Sequence, residues 1–232
     1  DEAGTITTLL NTGTITGTAT ATEGHGVFVQ DTTALITTLT NTGIITGSDA
    51  TNEYDIRVKP GQNSNITTLN NLQSGLTYDG VLPSNYSTII RNLDNYGSVT
   101  FSNVVAAAED TVYTPFAGST DAAVYIKGGT YSNVMTGMPN GNLSDTVTGT
   151  LTGDGVNSVG NATWTLTENG TSVWDLSVVG DYAFIDRANT QEAFNQIASN
   201  IGEVFQNMNA GGNFAHMMTY DCNSFGNGGC VS

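Results

Sequence analysis

Basic side chains are scarce in this sequence. Lys and Arg together number 5, whereas Asp and Glu number 21, so the formal net charge is −16. Proteins bind nucleic acids and anionic membranes through clusters of basic residues, and this composition therefore argues strongly against both partners. The acidity predicts a self-repulsion that keeps an exposed, β-rich protein soluble.

Long apolar runs are absent as well. No stretch reaches the roughly 18 consecutive apolar residues of a membrane-spanning helix, and no secretory signal peptide opens the chain. The first repeat strand begins within a few residues of Asp1, so we expect a processed or excised segment of a longer protein. The missing signal is then no indication of a cytoplasmic location.

Cysteine and histidine number only two each. Neither His25 nor His216 has another His or a Cys at metal-ligand spacing, so no metal and no cofactor are predicted. A Ser-His-Asp triad built on His25 and Asp31 is disfavoured because the chain has no Gly-x-Ser-x-Gly motif. Cys222 and Cys230 lie eight residues apart across a Gly-rich segment. They are a disulfide candidate, with two free thiols as the alternative.

What the chain has instead is an internal repeat. The tetrapeptide Ile-Thr-Thr-Leu begins at Ile6, Ile36 and Ile66, with a spacing of 30 residues each time (36 − 6 and 66 − 36). A fixed period in this range is typical of solenoids, in which each unit buries its apolar face against the next. We predict two inward columns of stacked side chains, which are Ile6, Ile36 and Ile66 in one and Leu9, Leu39 and Leu69 in the other.

Each period contains three short runs of β-branched residues separated by turn formers. Three strands per period describe one coil of a parallel β-helix, which we predict for residues 1–75. The third strand, at 26–29, is matched 30 residues later by 56–59. One position of each coil is always Asn, where the side chains stack into a hydrogen-bonded ladder or occupy a surface turn. These residues are Asn11, Asn41 and Asn71.

The repeat breaks at Leu76. We predict a β-rich cap over residues 76–180, because a solenoid needs an atypical terminal unit to cover its last apolar face. The clearest part of the cap is a hairpin that carries Trp164 and Trp174. Burial of both indoles on one face fixes the parity of the register, and we predict a three-residue loop, 168–170, that places Trp164 opposite Trp174.

Residues 181–232 are predicted to hold a linker helix and a Cys-containing tail. In the stretch 189–208, apolar residues recur at steps of three and four, which is typical of an amphipathic helix. We expect its apolar stripe to pack on protein, because the stripe would be an aggregation liability in water. The stripe consists of Phe194, Ile197, Ile201, Val204 and Phe205.

Several motifs, in their order along the chain, resemble one family. They are the repeat leading into Leu76-Thr77-Tyr78-Asp79-Gly80, then Gly129-Thr130-Tyr131, the tryptophan hairpin, the helix, and the tail from Tyr220-Asp221-Cys222 to Cys230-Val231-Ser232. This order resembles the C-terminal passenger region and linker of bacterial autotransporters, the type V self-secreting outer-membrane proteins. The resemblance implies a right-handed β-helix outside the cell, a cap that assists folding after translocation, and a helix that threads the pore of a C-terminal barrel. The sequence does not include that barrel, so we expect no membrane insertion of these residues.

The expected function is that of a structural or adhesive module at the bacterial cell surface or in the extracellular medium, and not that of an enzyme. Its expected partners are other copies of itself, in a homo-oligomer or fibre joined through the N-terminal coil, or extracellular ligands. The alternative is a glycan-active β-helical enzyme fragment, which needs paired carboxylates in one groove. The carboxylates of the coils do not recur at one register and are interpreted as solvated charges; they are Glu23, Asp31, Asp49, Glu53 and Asp55.

Overall fold

A computed structural model describes residues 4–18, 24–30, 33–48, 54–60, 65–107, 109–120, 123–145 and 147–184, together with the single positions 199 and 206. The chain divides into two compact units, Asp1–Ile185 and Asp186–Ser232. The predicted helix at 189–208, its apolar stripe and the pair Cys222 and Cys230 fall in the second unit. Apart from positions 199 and 206 they lie outside the described residues, and they stay predictions.

The first unit is mainly β, with parallel sheets. Its strands are rich in Thr, Ile and Val, whose branched side chains pack well on a pleated surface. The strands of the repeat are β1 (Thr5–Asn11), β2 (Thr14–Thr16), β3 (Val27–Val29), β4 (Leu35–Asn41), β5 (Ile44–Thr46), β6 (Ile56–Val58) and β7 (Asn65–Asn71). The later strands are β8 (Leu76–Val81), β9 (Asn85–Thr88), β10 (Ile90–Asn92), β11 (Asn95–Tyr96), β12 (Val99–Val105), β13 (Val112–Pro115), β14 (Tyr125–Ile126), β15 (Gly129–Thr136), β16 (Thr148–Thr152), β17 (Ser158–Glu168) and β18 (Val173–Phe184), with a 3₁₀ helix at Asn140–Asn142.

The repeated segments stack in register. β1, β4 and β7 are parallel neighbours, and Ile6 pairs with Ile36, which pairs with Ile66. Three residues later, Leu9 pairs with Leu39, which pairs with Leu69. Both predicted columns are therefore confirmed. The side chains of the second and third members are buried in both columns. A 30-residue spacing in sequence thus becomes one step between adjacent strands.

The third strand of the period pairs one residue away from the predicted alignment. β3 and β6 are parallel with Val27 opposite Ile56, a separation of 29 residues (56 − 27) instead of 30. A spacing of 30 would set Val27 against Arg57. The observed register sets apolar side chains together inside the stack and pairs Phe28 with Arg57 on the outer face, as alternation along a strand requires.

Parallel pairing continues beyond the end of the sequence repeat. β9 pairs with β7 and β13 with β9, which gives the first sheet the order β1-β4-β7-β9-β13. In the second sheet β8 follows β6, β12 follows β8 and β15 follows β12, all in parallel. The change that the sequence indicates at Leu76 is therefore a change of side chains, because the inward positions pass from Ile and Leu to larger aromatic residues.

Along the second sheet, antiparallel pairing begins at β15, which is parallel to β12 on one side and antiparallel to β18 on the other. Earlier in the chain, β10 and β11 form a separate antiparallel pair. β17 and β18 form a long hairpin, and β16 pairs with the outer side of β17. The second sheet thus runs in the order β16-β17-β18-β15-β12-β8-β6-β3. Neighbouring strands are parallel from β3 to β15 and antiparallel from β15 to β16, so the mode of pairing changes at β15, where the stack meets the C-terminal hairpin.

Tyrosines fill the core beside the hairpin. The rings of Tyr86 and Tyr113 have centroids 5.9 Å apart, and Tyr113 meets Trp164 edge to face at 5.8 Å. Burial raises the pKa values of Tyr78, Tyr86 and Tyr113 well above the ordinary value. Tyr131, whose hydroxyl donates to the Lys127 carbonyl at 2.6 Å, has its pKa raised by burial to about 12.

Candidate interaction site

The strands of the first period lie at the edges of their sheets. β1 is the edge of the first sheet, β3 the edge of the second, and β2 pairs only with β5 among the described strands. We call β1, β2 and β3 the N-terminal rung. A strand at the edge of a sheet presents backbone N–H and C=O groups that another strand can pair with.

Apolar side chains are exposed on the N-terminal rung. Ile6 is 47% exposed, whereas Ile36 and Ile66 in the same column are 5% and 0% exposed. Leu10 is 46% exposed. A cavity of about 270 Å³ opens beside Ile6 and is lined by Gly4, Ile6, Phe28, Leu35 and other residues of the first and second periods. The N-terminal rung is therefore less covered than the rungs behind it.

The three repeat asparagines form a ladder. Asn11 Nδ2 donates to Asn41 Oδ1 at 2.8 Å, and Asn41 Nδ2 donates to Asn71 Oδ1 at 3.2 Å. All three side chains are buried, so a surface turn is not the correct interpretation of the repeated Asn. Buried polar side chains need hydrogen-bond partners, and here each side-chain amide is the hydrogen-bond partner of the next.

The ladder stands at a tight corner of the stack. The Thr42 N–H donates to the Asn11 carbonyl at 2.8 Å, and the Leu72 N–H makes the same bond to the Asn41 carbonyl, also at 2.8 Å. A Cβ atom placed on Gly43 would lie 2.0 Å from the Gly13 carbonyl oxygen. In the second period this corner therefore brings successive backbones too close for a side chain at Gly43, whereas a Cβ atom on Gly13 would meet nothing within 4 Å.

Gln73 terminates the ladder, and sequence reasoning missed this role. Its Oε1 accepts from Asn41 Nδ2 at 3.1 Å and from the Ile45 N–H at 2.7 Å, while its Nε2 donates to the Ile45 carbonyl at 3.0 Å. Asn71 Nδ2 donates in turn to the carbonyls of Gln73 and Ser98. The available signal was an amide residue two positions after the third ladder Asn, where the earlier periods have Gly.

His25 lies in a cluster on the outer face of the second sheet. Its Nδ1 donates to the Tyr54 carbonyl and its Nε2 accepts from Arg57 Nη1, each at 3.3 Å. Arg57 Nε lies 3.2 Å from Asp79 Oδ2, and the guanidinium sits 5.7 Å from the centre of the Phe28 ring. Both ring nitrogens of His25 are thus engaged in bracing neighbouring strands, which is the arrangement of a structural histidine.

Several carboxylates of the described residues accept hydrogen bonds from backbone or side-chain donors. Asp55 Oδ2 accepts from the Thr77 N–H at 2.8 Å, and Asp79 Oδ1 accepts from Asn103 Nδ2 at 2.7 Å. Asp154 accepts three backbone N–H groups of its own loop, which lower its pKa to about 2. No group of three His, Cys, Asp or Glu residues placed to hold a metal ion is found in the part of the chain that the structure describes. Of the coil carboxylates named above, only Asp55 is among the described residues.

The tryptophan hairpin has the predicted parity but a different loop. Leu166 pairs with Leu176, which places Trp164 opposite Val178 and Trp174 opposite Glu168. Both indoles are buried on one face of the sheet, as the parity argument requires. The prediction that Trp164 faces Trp174 across a loop at 168–170 is wrong.

Polar contacts within the turn explain the observed loop. Glu168 Oε1 accepts from the Ser172 N–H at 2.8 Å, and the Asn169 N–H donates to the Val173 carbonyl at 2.7 Å. These bonds extend the strands and leave residues 170–172 as the loop, with Ser172 at a φ of 58°. Trp174 Nε1 then reaches the Met138 carbonyl at 2.9 Å. Each indole therefore has its own site in the core.

Comparisons of the chain with known protein families, with curated proteins and with solved structures found no match. Within the described ranges, no helix has both the length and the apolar character needed to cross a membrane.

Proposed function

We propose that this chain is a structural or adhesive module of an autotransporter passenger, located at the bacterial cell surface or in the extracellular medium. In this proposal the parallel strands wind as a right-handed β-helix with 30-residue coils, the hairpin of β17 and β18 caps it, and an amphipathic helix spans 189–208. Support comes from the parallel register of the repeat, the net charge of −16 and the change to antiparallel pairing at the C-terminal end of the stack.

The observation that carries the proposal is the uncovered N-terminal rung. A module that joins other polypeptides needs a surface on which strands can be added, and the N-terminal rung has three strand edges with exposed Ile6 and Leu10. The proposed partners are other copies of this chain or an extracellular ligand. Three described carboxylates favour this role over glycan cleavage, because Asp55, Asp79 and Asp154 are each bound to backbone or side-chain donors, whereas glycan cleavage needs a pair of carboxylates in one groove.

The test is an adhesion assay with beads that carry the chain through its C-terminus. We expect the beads to adhere to one another or to a surface coated with extracellular matrix. The double variant Ile6→Lys/Leu10→Lys should abolish adhesion. A matched variant, Val156→Lys/Val159→Lys, adds the same charge at exposed valines of the C-terminal part and should leave adhesion unchanged.

The same preparation is incubated with a panel of polysaccharides, and released reducing ends are measured. Cleavage of any of them, or equal loss of adhesion in the two double variants, would contradict the proposal.

A further inference from the structure

The ladder of Asn11, Asn41 and Asn71 has a direction. Each interstrand bond runs from an Nδ2 donor to an Oδ1 acceptor on the next strand toward the C-terminus. From this polarity we propose that the N-terminal rung accepts one more rung in parallel, with a carboxamide side chain donating to Asn11 Oδ1. The inference rests on the proposed association through this surface and names the kind of partner that fits it.

Asn71 shows what a complete ladder position looks like. Its Oδ1 accepts two hydrogen bonds, from Asn41 Nδ2 at 3.2 Å and from the Gln73 N–H at 3.0 Å. Asn11 Oδ1 accepts the equivalent backbone bond, from the Gly13 N–H at 3.2 Å, and the described residues supply no second donor. The vacant acceptor site lies on the side where a preceding rung would place its own Asn or Gln.

A second copy meeting the N-terminal rung end to end does not supply that donor. Asn11 Nδ2 already donates to Asn41 Oδ1 and to the Ile44 carbonyl, which uses both of its hydrogens. Two such ends would therefore place one Oδ1 acceptor against another. A rung added in parallel brings a fresh Nδ2 donor, and the ladder continues with the same polarity.

The backbone and the apolar residues favour the same partner. At this corner the later strand donates its N–H to the carbonyl of the earlier strand, as Thr42 does to Asn11. An added parallel rung would offer Thr12 an equivalent carbonyl, and its own Ile would cover Ile6. The strands β1, β2 and β3 contain no charged residue, so these strands add no charge repulsion to the contact.

The inference is tested by adding a rung to the whole chain. A copy of residues 5–34 is placed directly before Thr5, with Asn, Asp or Leu at the copied ladder position. Asp is the matched control, because an ionised carboxylate has nearly the shape of Asn but can only accept. Amide hydrogen exchange in β1 is measured for each fusion and for the parent chain, and the oligomeric state is measured by sedimentation.

We expect the Asn copy to slow exchange in β1 by at least about tenfold, with a much smaller effect for Asp and for Leu, in a monomeric protein. Equal protection by Asn and Asp, or no protection by any copy, would overturn the inference. A parent chain that forms an end-to-end dimer with protected β1 would also overturn it, while leaving the proposed association intact. Loss of bead adhesion in the control double variant, by contrast, would count against the proposed function alone.

Discussion

The stacked strands of the repeat and the strands of the C-terminal hairpin set their register in different ways. In the repeat, one strand of each period sits directly on its counterpart, so identical side chains meet and the ladder makes the register depend on Asn at a single position. In the hairpin of β17 and β18, most paired side chains differ, and the turn sets the register. The comparison teaches that residues repeated at a fixed spacing specify which residues of neighbouring strands pair. Alternation of apolar and polar residues along a strand specifies only which face of the sheet is buried.

The largest expected effect is loss of the fold at high pH, and it originates in the tyrosines that follow the repeat. Burial raises the pKa of Tyr131 from 10.0 to about 12 and those of Tyr78, Tyr86 and Tyr113 further. Tyrosines that are neutral in the fold stabilise it below pH 10, and this contribution is lost as pH rises through the folded-state pKa values. We expect absorbance of ionised tyrosine and loss of circular dichroism to rise together above pH 10. Ionisation of all nine tyrosines near pH 10 with an unchanged circular dichroism spectrum would contradict this account.

Removal of a hairpin indole should be the most costly single substitution. Trp174→Ala deletes a buried ring and its hydrogen bond to the Met138 carbonyl, and we expect a loss of about 4 kcal/mol in the free energy of unfolding. Val179→Ala, on the same strand but 71% exposed, should cost less than about 0.5 kcal/mol. Denaturant unfolding measures both, and similar losses for the two variants would be incompatible with the described core.

Substitution in the ladder should depend on position. Asn41→Ala removes one hydrogen bond each from Asn11 Nδ2, Asn71 Oδ1 and Gln73 Oε1, at a fully buried position, and we expect a loss of about 3 kcal/mol. Asn11→Ala removes the bonds of Asn11 to Asn41, to the Ile44 carbonyl and to the Gly13 N–H. Gly13 and Ile44 are exposed, so water can replace two of these bonds, and we expect a loss of about 1 kcal/mol. Equal losses in chemical denaturation would mean that the ladder is not continuous.

As pH falls, acid should destabilise the C-terminal part at a higher pH than it destabilises the repeat. This is the smallest of the four expected effects. Backbone donors of Val156, Ser158 and Asn157 lower the pKa of Asp154 from 3.8 to about 2. A carboxylate with a depressed folded-state pKa stabilises its loop above pH 3.8, and this contribution is lost as pH falls toward 2. We expect the Asn157 and Ser158 amides to lose their protection from exchange in that interval, and Asp154→Asn to remove the pH dependence. Unchanged protection at pH 2 in the parent chain would refute the assignment.

The comparison also explains which features the sequence allowed us to predict. The Ile and Leu columns were predictable because β1, β4 and β7 have equal lengths and equal spacing. The β3–β6 register was mispredicted because the loop before β6 is one residue shorter, and the inward valines, not the 30-residue count, decide the pairing. The position of the hairpin loop was mispredicted because the Glu168–Ser172 and Asn169–Val173 bonds extend the strands and move a loop of the same length to residues 170–172.

Other features had no periodic signal. The parallel stack continues past Leu76 although its inward side chains change to Tyr and Phe. The sequence pattern depends on these side chains, so it predicted an end of the repeat where the strand pairing does not change. Gln73 completes the ladder from outside the repeat motif. The cluster of His25, Arg57 and Asp79 arises from three different strands or loops, and its members attract one another only once the strands are stacked.

The central claim is that the N-terminal rung is uncovered while the rungs behind it are closed. Amide hydrogen exchange of the parent chain at sub-micromolar concentration tests it most directly, by comparing β1 with β4, which has a parallel neighbour on each side. The account predicts that the amides of β1 exchange on average at least about tenfold faster than those of β4. Equal protection of the two strands would contradict it, because β1 would then already be covered.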